Sequence, residues 1–541
     1  MNKPFYITTA IAYPNSKMHV GFGWEVIGSD VVARFRRMEG RPVFFSTGTD
    51  EHSQNVEKAA LKAGLSSKEY CDQQAGEIRA SMERMDIAYD RFIRTSDPDH
   101  EKVCQYLVEK AFKAGDVYKQ KYEGLYCESC EVFYTEKETA AGAGGPECVT
   151  HKLPLKRVSE ENYFFKLSKY EEKLKAHFKA NPGFLAPDFR RNEVTSFIEQ
   201  GLKDFSVSRF SVSRTSFKWG IPLPFDPQHI IYVWYDALIN YLSAVKYPAP
   251  GNPNGDEAFF KKFWPCDVHI IGKDITRFHT VYWPAMLWSA GIELPKNVFA
   301  HGFINLNGEK MSKTRGNIVT PDEVMADFGA IALRWYLLSA NTFSGDGNYA
   351  DQDIVLKCNA DLSNNMGNLV NRVVSMSLKY FEGRSPVDAG KLPAGIEGVP
   401  ARLTKHLGAK GEQLSAAIDA FDLSGYCARV VEFSMSLNKF IDETKPWALA
   451  KSGDKETLES VLAQLLEGIR NLGIALWPVV PAASDGILAQ IGAEGICESQ
   501  KLATGRELKV PLLSRLGYDA KFALKLSEPK PLFPRLEAPK E

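Results

Sequence analysis

The chain has 541 residues, 44% hydrophobic and 25% charged, enough for more than one domain with its own core. Its 66 Lys+Arg against 67 Asp+Glu leave a formal charge of −1, which excludes a basic coat but not a local positive surface for nucleic acid. The nine cysteines form one tight group and scattered singles, no secretory leader is visible, and the apolar stretch Leu472 to Ala483 is broken by Pro478 and Pro481, so the expectation is a soluble cytoplasmic protein with no disulfide framework and no membrane.

FYITTA (Phe5 to Ala10) reads as a buried strand, and the turn PNSKMHVGFGWE follows it. Val26, Val31, Phe35 and Met38 then recur at roughly helical spacing until Gly40-Arg41-Pro42. A second strand, VFFSTG (Val43 to Gly48), delivers Asp50, Glu51 and His52. This is a βαβ unit of a parallel sheet, in which ligands bind beyond the carboxyl ends of the strands, where His19 and Asp50 would both sit. A helix N-terminus there offers free N–H groups to phosphate, Gly21 and Gly23 would let a nucleotide approach, and His19 could donate to a phosphate oxygen. A histidine merely satisfied by a neighbouring carbonyl is the plainer alternative.

From about Asp116 to Phe225 short strands and turns suggest an insertion. Within it, Cys127-x-x-Cys130 precedes Cys148-x-x-His151, a donor set suited to a closed, structural zinc site. Two unrelated reduced pairs would also fit. Strand-like runs return at HIIYVWYDAL and VHIIGKDI. In GEKMSKTRGN, Lys310 and Lys313 could close over a polyphosphate and neutralise charge developing during nucleotidyl transfer, or form a solvated basic turn. After about Asp351 the pattern is helical to near the end: Tyr426, Val430, Phe433, Leu437 and Phe440 line one helix face before Pro446, and a Pro-rich tail follows.

HVGF early and KMSKT late resemble the HIGH and KMSKS landmarks of class I aminoacyl-tRNA synthetases. ITTAIAYPN, GTDEH, the CxxC…CxxH insertion, SVSRTSFKWGIPLP, YVWYDALINYL, IGKDITRFH, NLVNR, PWALAK and PLFPRLE resemble the methionyl-tRNA synthetase family, across essentially the whole chain. The resemblance implies an α/β fold. It would hold a Rossmann-type parallel-sheet catalytic domain in two halves (1–115 and 226–300), a zinc-bearing connective insertion (116–225), a lysine-loop stem-contact region (301–355), and a helical anticodon-binding domain with tail (356–541).

It further implies ATP-dependent ligation of L-methionine to methionine tRNA through methionyl-adenylate, with Mg²⁺ on ATP and one structural Zn²⁺ on Cys127, Cys130, Cys148 and His151. Methionine's amino group would meet Asp50 and the backbone near Ala10 and Ile11. Its side chain would enter a pocket of Tyr13, Trp234, Ala237, Leu238, Tyr241, Ile275 and His279, with a hydroxyl or imidazole donor near the sulfur. ATP would lie over His19, Gly21 and Phe22, with Gly272 and Asp274 near the ribose and Lys310, Lys313 and Thr314 at the phosphates. Arg214 falls where the family keeps a charged partner. His19, Gly21, Lys310 and Lys313 would carry catalysis. Asn368, Arg372 and Trp447 would read the anticodon, although Trp447 on its own would read as a core or capping aromatic.

Phe22 replaces the family's second histidine and removes a donor, while Thr314 keeps the hydroxyl of the final serine. Nothing resembling an appended dimerisation domain follows PLFPRLEAPKE, so the expectation is a monomer. The rivals are a class I synthetase for another amino acid and a catalytically quiet paralogue that binds tRNA or a partner.

Overall fold

The computed structural model describes residues 2–127, 132–134, 139–142, 145–149, 152–210, 219–311, 317–382, 384–520 and 525–538. Strand β1 (Phe5–Ala12) alternates its side chains: Phe5 and Ile7 enter one core and Tyr6 the other, as the pleat of a two-sided sheet requires. On one side β1 pairs in parallel with β2 (Val43–Thr49), which pairs with β3 (Arg91–Arg94). On the other it pairs in parallel with Val268–Gly272, then come Val298–His301 and Leu185–Ala186. The order therefore reverses beside β1, which opens a crevice at the carboxyl ends of β1 and Val268–Gly272.

The helix α1 (Val20–Met38) follows β1, with Arg36 and Arg37 in its last turn against the negative end of its dipole. Three differences from the sequence reading stand out. HIIYVWYDAL is a strand, Asp226–Ile231, followed by a helix, Val233–Ala244; that helix is buried nearly all round, and a short apolar run carries no period that separates helix from strand. The 116–225 segment does form an antiparallel sheet of Val132–Tyr134, Val117–Cys127, Lys156–Phe165 and Phe205–Ser206, yet its Leu185–Ala186 joins the edge of the main sheet. The chain after Asp351 is helical only to Gln490. A hairpin, Cys497–Lys501 with Glu507–Pro511, then packs back on the catalytic half, where Ala503 N donates to Asp90 Oδ1 and Arg506 to Ile87 O.

One core runs from Val26 and Trp335 through Phe433 and Ile469 to Phe533. The other, on the opposite sheet face, gathers Phe165, Tyr235, Leu238 and Trp283. Among the described residues no helix is long and apolar enough to cross a membrane.

Candidate active site

His19 is the N-cap of α1. Its Nδ1 accepts the Phe22 amide at 3.2 Å, so the neutral ring carries its proton on Nε2, a donor of the kind a phosphate oxygen accepts. Gly21 makes room for that ring, since a Cβ there would stand 3.0 Å from Nδ1 and 3.2 Å from Cε1. Gly23 does something else than the sequence suggested. It is buried, and its Cβ would stand 2.9 Å from Pro321 Cγ, so it serves close packing of two helices rather than nucleotide approach. Phe22 is half-buried and packs on the larger core.

The lysine loop starts and returns beside this cap. Glu309–Lys310 pairs with Ile304–Leu306, Met311 lies with its Cε 3.9 Å from the Gly21 Cβ position, and Val319 O accepts the Val20 amide at 2.8 Å. Lys313, Thr314 and Arg214 lie outside the described residues. Gly272 ends its strand where a Cβ would stand 2.7 Å from the carboxylate of exposed Asp274.

Across the crevice, Asp50 directly follows β2, 2% exposed, with its amide on Ala12 O at 2.8 Å. Ala10 and Ile11 lie beside it on β1; the Ala10 amide is taken by Glu25 Oε1 at 2.8 Å. The aromatic residues do converge. Tyr13 meets Trp234 edge-on at 6.5 Å, Trp234 stacks on Phe278 at 3.9 Å, and the buried Trp234 Nε1 has no hydrogen-bond partner among the described residues. Ala237, Leu238 and Tyr241 follow on the same buried helix.

His279 Nδ1 lies 3.0 Å from Ile275 O and its Nε2 2.7 Å from the Tyr241 hydroxyl. Burial lowers the imidazole to about 4 and pushes the phenol well above its usual range, so both are neutral. The carbonyl fixes the proton on Nδ1, Nε2 accepts, and Tyr241 donates to it. The donor expected near the sulfur is thus committed within the pair.

Two residues of the site carry no sequence motif. Glu25 Oε2 lies 2.7 Å from His301 Nε2, so Glu25 on α1 ties β1 at Ala10 to the carboxyl end of Val298–His301. The only signal was position: His301 ends a parallel strand.

Of the four expected zinc donors, Cys130 and His151 lie outside the described residues. Cys127 ends its strand at 2% exposure and Cys148 is fully buried, with its amide on Leu153 O and its carbonyl accepting from Lys152. Both are thiols, the soft donor type that zinc takes, and Cys148 Sγ lies 3.6 Å from the Tyr134 hydroxyl. In the helical half, Asn368 and Arg372 share the helix Asn368–Phe381, Arg372 lies 3.6 Å from Asp442, and Trp447, in the first turn of the short helix Pro446–Ser452, is 47% exposed and so is no core ring.

A family model described as tRNA synthetases class I (M) matches residues 5–374. The methionine–tRNA ligase of Caldanaerobacter subterraneus is 41% identical over 542 residues, spanning 100% of this chain and 80% of its own. That of Rhizobium meliloti is 39% identical over 543 residues, 99% of each. The Mycobacterium tuberculosis methionyl-tRNA synthetase in complex with methionyl-adenylate superposes with a TM-score of 0.89 at 38% identity, covering 99% of this chain and 100% of that one. On a match that spans the chain in both sequence and structure, it belongs to the methionyl-tRNA synthetase family of class I.

Proposed function

We propose that the chain joins L-methionine to methionine tRNA by way of methionyl-adenylate, using ATP. The observation that carries this reading is one crevice with two walls: the capped N-terminus of α1 beside Met311 and Val319, which flank Lys313 of the lysine loop in the sequence, and the aromatic pocket around Trp234, Tyr241 and His279 beside Asp50. Methionine's ammonium needs acceptors, which the Asp50 carboxylate and nearby carbonyls supply. Its thioether suits an aromatic wall, and neutral Tyr241 and His279 exclude charged side chains of similar length. The methionine carboxylate then attacks the α-phosphate and pyrophosphate leaves. His19, the α1 amides, Lys310 and Lys313 meet the charge that develops, with no covalent enzyme intermediate. Mg²⁺ carried by ATP supplies further charge neutralisation at the phosphates.

The tRNA's terminal ribose hydroxyl takes the methionyl group in the second step, while Asn368, Arg372 and Trp447 engage the anticodon. Cys127, Cys130, Cys148 and His151 would hold one zinc ion as a cross-link of the connective insertion. We place the chain in the cytoplasm, which suits cysteines that are all free among the described residues. Methionine-dependent ATP–pyrophosphate exchange, followed by charging of methionine tRNA, tests the reading. Exchange driven by another amino acid, or by none, would overturn it.

A further inference from the structure

The helix Val233–Ala244 brings Trp234, Ala237, Leu238 and Tyr241 to the pocket, and Asp236 sits among them with different partners. Its Oδ2 lies 2.8 Å from His52 Nδ1, and its Oδ1 lies 2.6 Å from His100 Nε2. His100 Nδ1 in turn lies 3.0 Å from Ser243 Oγ, two helical turns beyond Asp236 on the same face. One turn along from His100, Cys104 Sγ stands 3.1 Å from His100 Nε2 and 3.4 Å from Asp236 Oδ1. Asp236 and His100 are fully buried, and His52 is 4% exposed.

By distance alone His100, Cys104 and Asp236 could hold a metal ion. Their donors and acceptors are already matched to one another, so no ligand is needed to satisfy them. A buried carboxylate is costly unless hydrogen-bonding groups meet it. Burial opposes the charge on Asp236, and the two imidazoles override it and hold the carboxyl down at about 2.

The connection matters because of what lies at each end. His52 is two residues beyond Asp50, and the segment between them is gripped on its other side. Glu51 N donates to Thr95 Oγ1 at 2.8 Å, Arg94 Nε to Glu51 Oε1 at 2.6 Å, and Trp219 Nε1 to Glu51 O at 2.7 Å. At the other end, a bridge from His100 to both Asp236 and Ser243 resists rotation of the pocket helix about its own axis.

We propose that Asp236 is a positioning residue for methionine: through His52 it ties the Asp50 segment to the pocket helix, and through His100 it fixes that helix's rotation. It touches no substrate, and the inference rests on the pocket assigned above.

Pyrophosphate exchange by the full chain, varying methionine and ATP separately, tests it on wild type, His52→Ala, His52→Asn and Asp236→Asn. Equilibrium dialysis with radiolabelled methionine runs alongside. His52→Ala should raise the methionine KM on the order of 10- to 100-fold and leave the ATP KM within about twofold, as loss of a buried charge-assisted hydrogen bond acting on one substrate predicts. His52→Asn keeps an N–H near the Nδ1 position and should recover most of the loss, while Asp236→Asn should repeat the methionine-selective rise. If Asp236→Asn does not fold, the His52 pair carries the test, because His100 still meets Asp236 there. Equal rises in both constants, a fall in kcat alone, or no recovery in His52→Asn overturns the proposal. A wild type that binds no methionine in dialysis overturns the pocket assignment and this inference together; one that binds, with unselective variants, overturns the inference alone.

Discussion

A single hydrogen at Gly21 lets the His19 ring fold over the first turn of α1, so Gly21→Ala should push the ring a few tenths of an ångström and take its Nε2 proton off its present line. The cap is worth about 1 kcal/mol of stability. The larger cost is catalytic, because losing one donor to the developing charge typically slows such a step about 10²–10³-fold. Phe22 makes the opposite case. It packs on the core and donates nothing, so the donor lost relative to the family must be covered by His19, the α1 amides and the lysines. Single-turnover adenylate formation should therefore fall about 10²-fold or more in Gly21→Ala and in Lys313→Ala, and only a few-fold in Phe22→Leu. An inert wild type revived by Phe22→His would instead favour the quiet-paralogue reading.

The buried His279 adds a pH signature at the same scale. Its folded pKa, about 4, lies below the ordinary value of 6.5 because burial disfavours the cation. The unfolded chain therefore takes up a proton first as the pH falls. Stability that is fully present above 6.5 is lost between 6.5 and 4, at up to about 1.4 kcal/mol per pH unit. His279→Gln removes this linkage, so the thermal midpoint of wild type should fall more steeply than the variant's from pH 6.5 to pH 4. Parallel curves would show that His279 is not buried as a neutral base.

Among elements, the short helix Pro446–Ser452 presents Trp447 to solvent. Stacking of a base on such a ring is worth ~1–3 kcal/mol. Trp447→Ala should thus weaken aminoacylation while pyrophosphate exchange stays at the wild-type rate; equal loss in both assays would count against an anticodon role. The connective insertion has its own check. Metal analysis should find one zinc per chain, and Cys127→Ala/Cys148→Ala should lose both the metal and activity. What was legible in the sequence followed the same divisions. The β1–α1–β2 unit could be read because a β-branched run gives way to a capped helix and then a second apolar strand. The pocket helix could not, because it is buried on nearly every side and its polar residues, Asp236 and Ser243, face other buried groups instead of marking a solvent face. The hairpin was missed because Cys497–Lys501 is largely exposed and has no apolar alternation to mark a strand. Glu25 and Asp236 became visible only once folding brought His301, His52 and His100 against them, at separations no local motif spans.

Over the whole molecule, the catalytic sheet and the helical half share one core, with Val26, Trp335, Phe433 and Ile469 in a single cluster. A buried charge network pins the same junction. Asp30 on α1 accepts from Arg34 at 2.8 Å, from Arg334 at 2.7 Å and from the Ala88 amide at 2.8 Å. Arg334 reaches on to the carbonyls of Val479 and Pro478 beyond the long helix Lys455–Leu476. Burial opposes the Asp30 charge, yet the two guanidiniums hold its carboxyl below the usual range. Removing one member of such a network leaves the rest uncompensated, at a cost of about 3–5 kcal/mol. If the two halves are one cooperative unit, Asp30→Asn should lower the temperature at which pyrophosphate exchange is lost and the temperature at which tRNA binding is lost by the same amount. A shift confined to the exchange activity would show that the helical half is stable by itself, and that the shared core joins two separately folding parts.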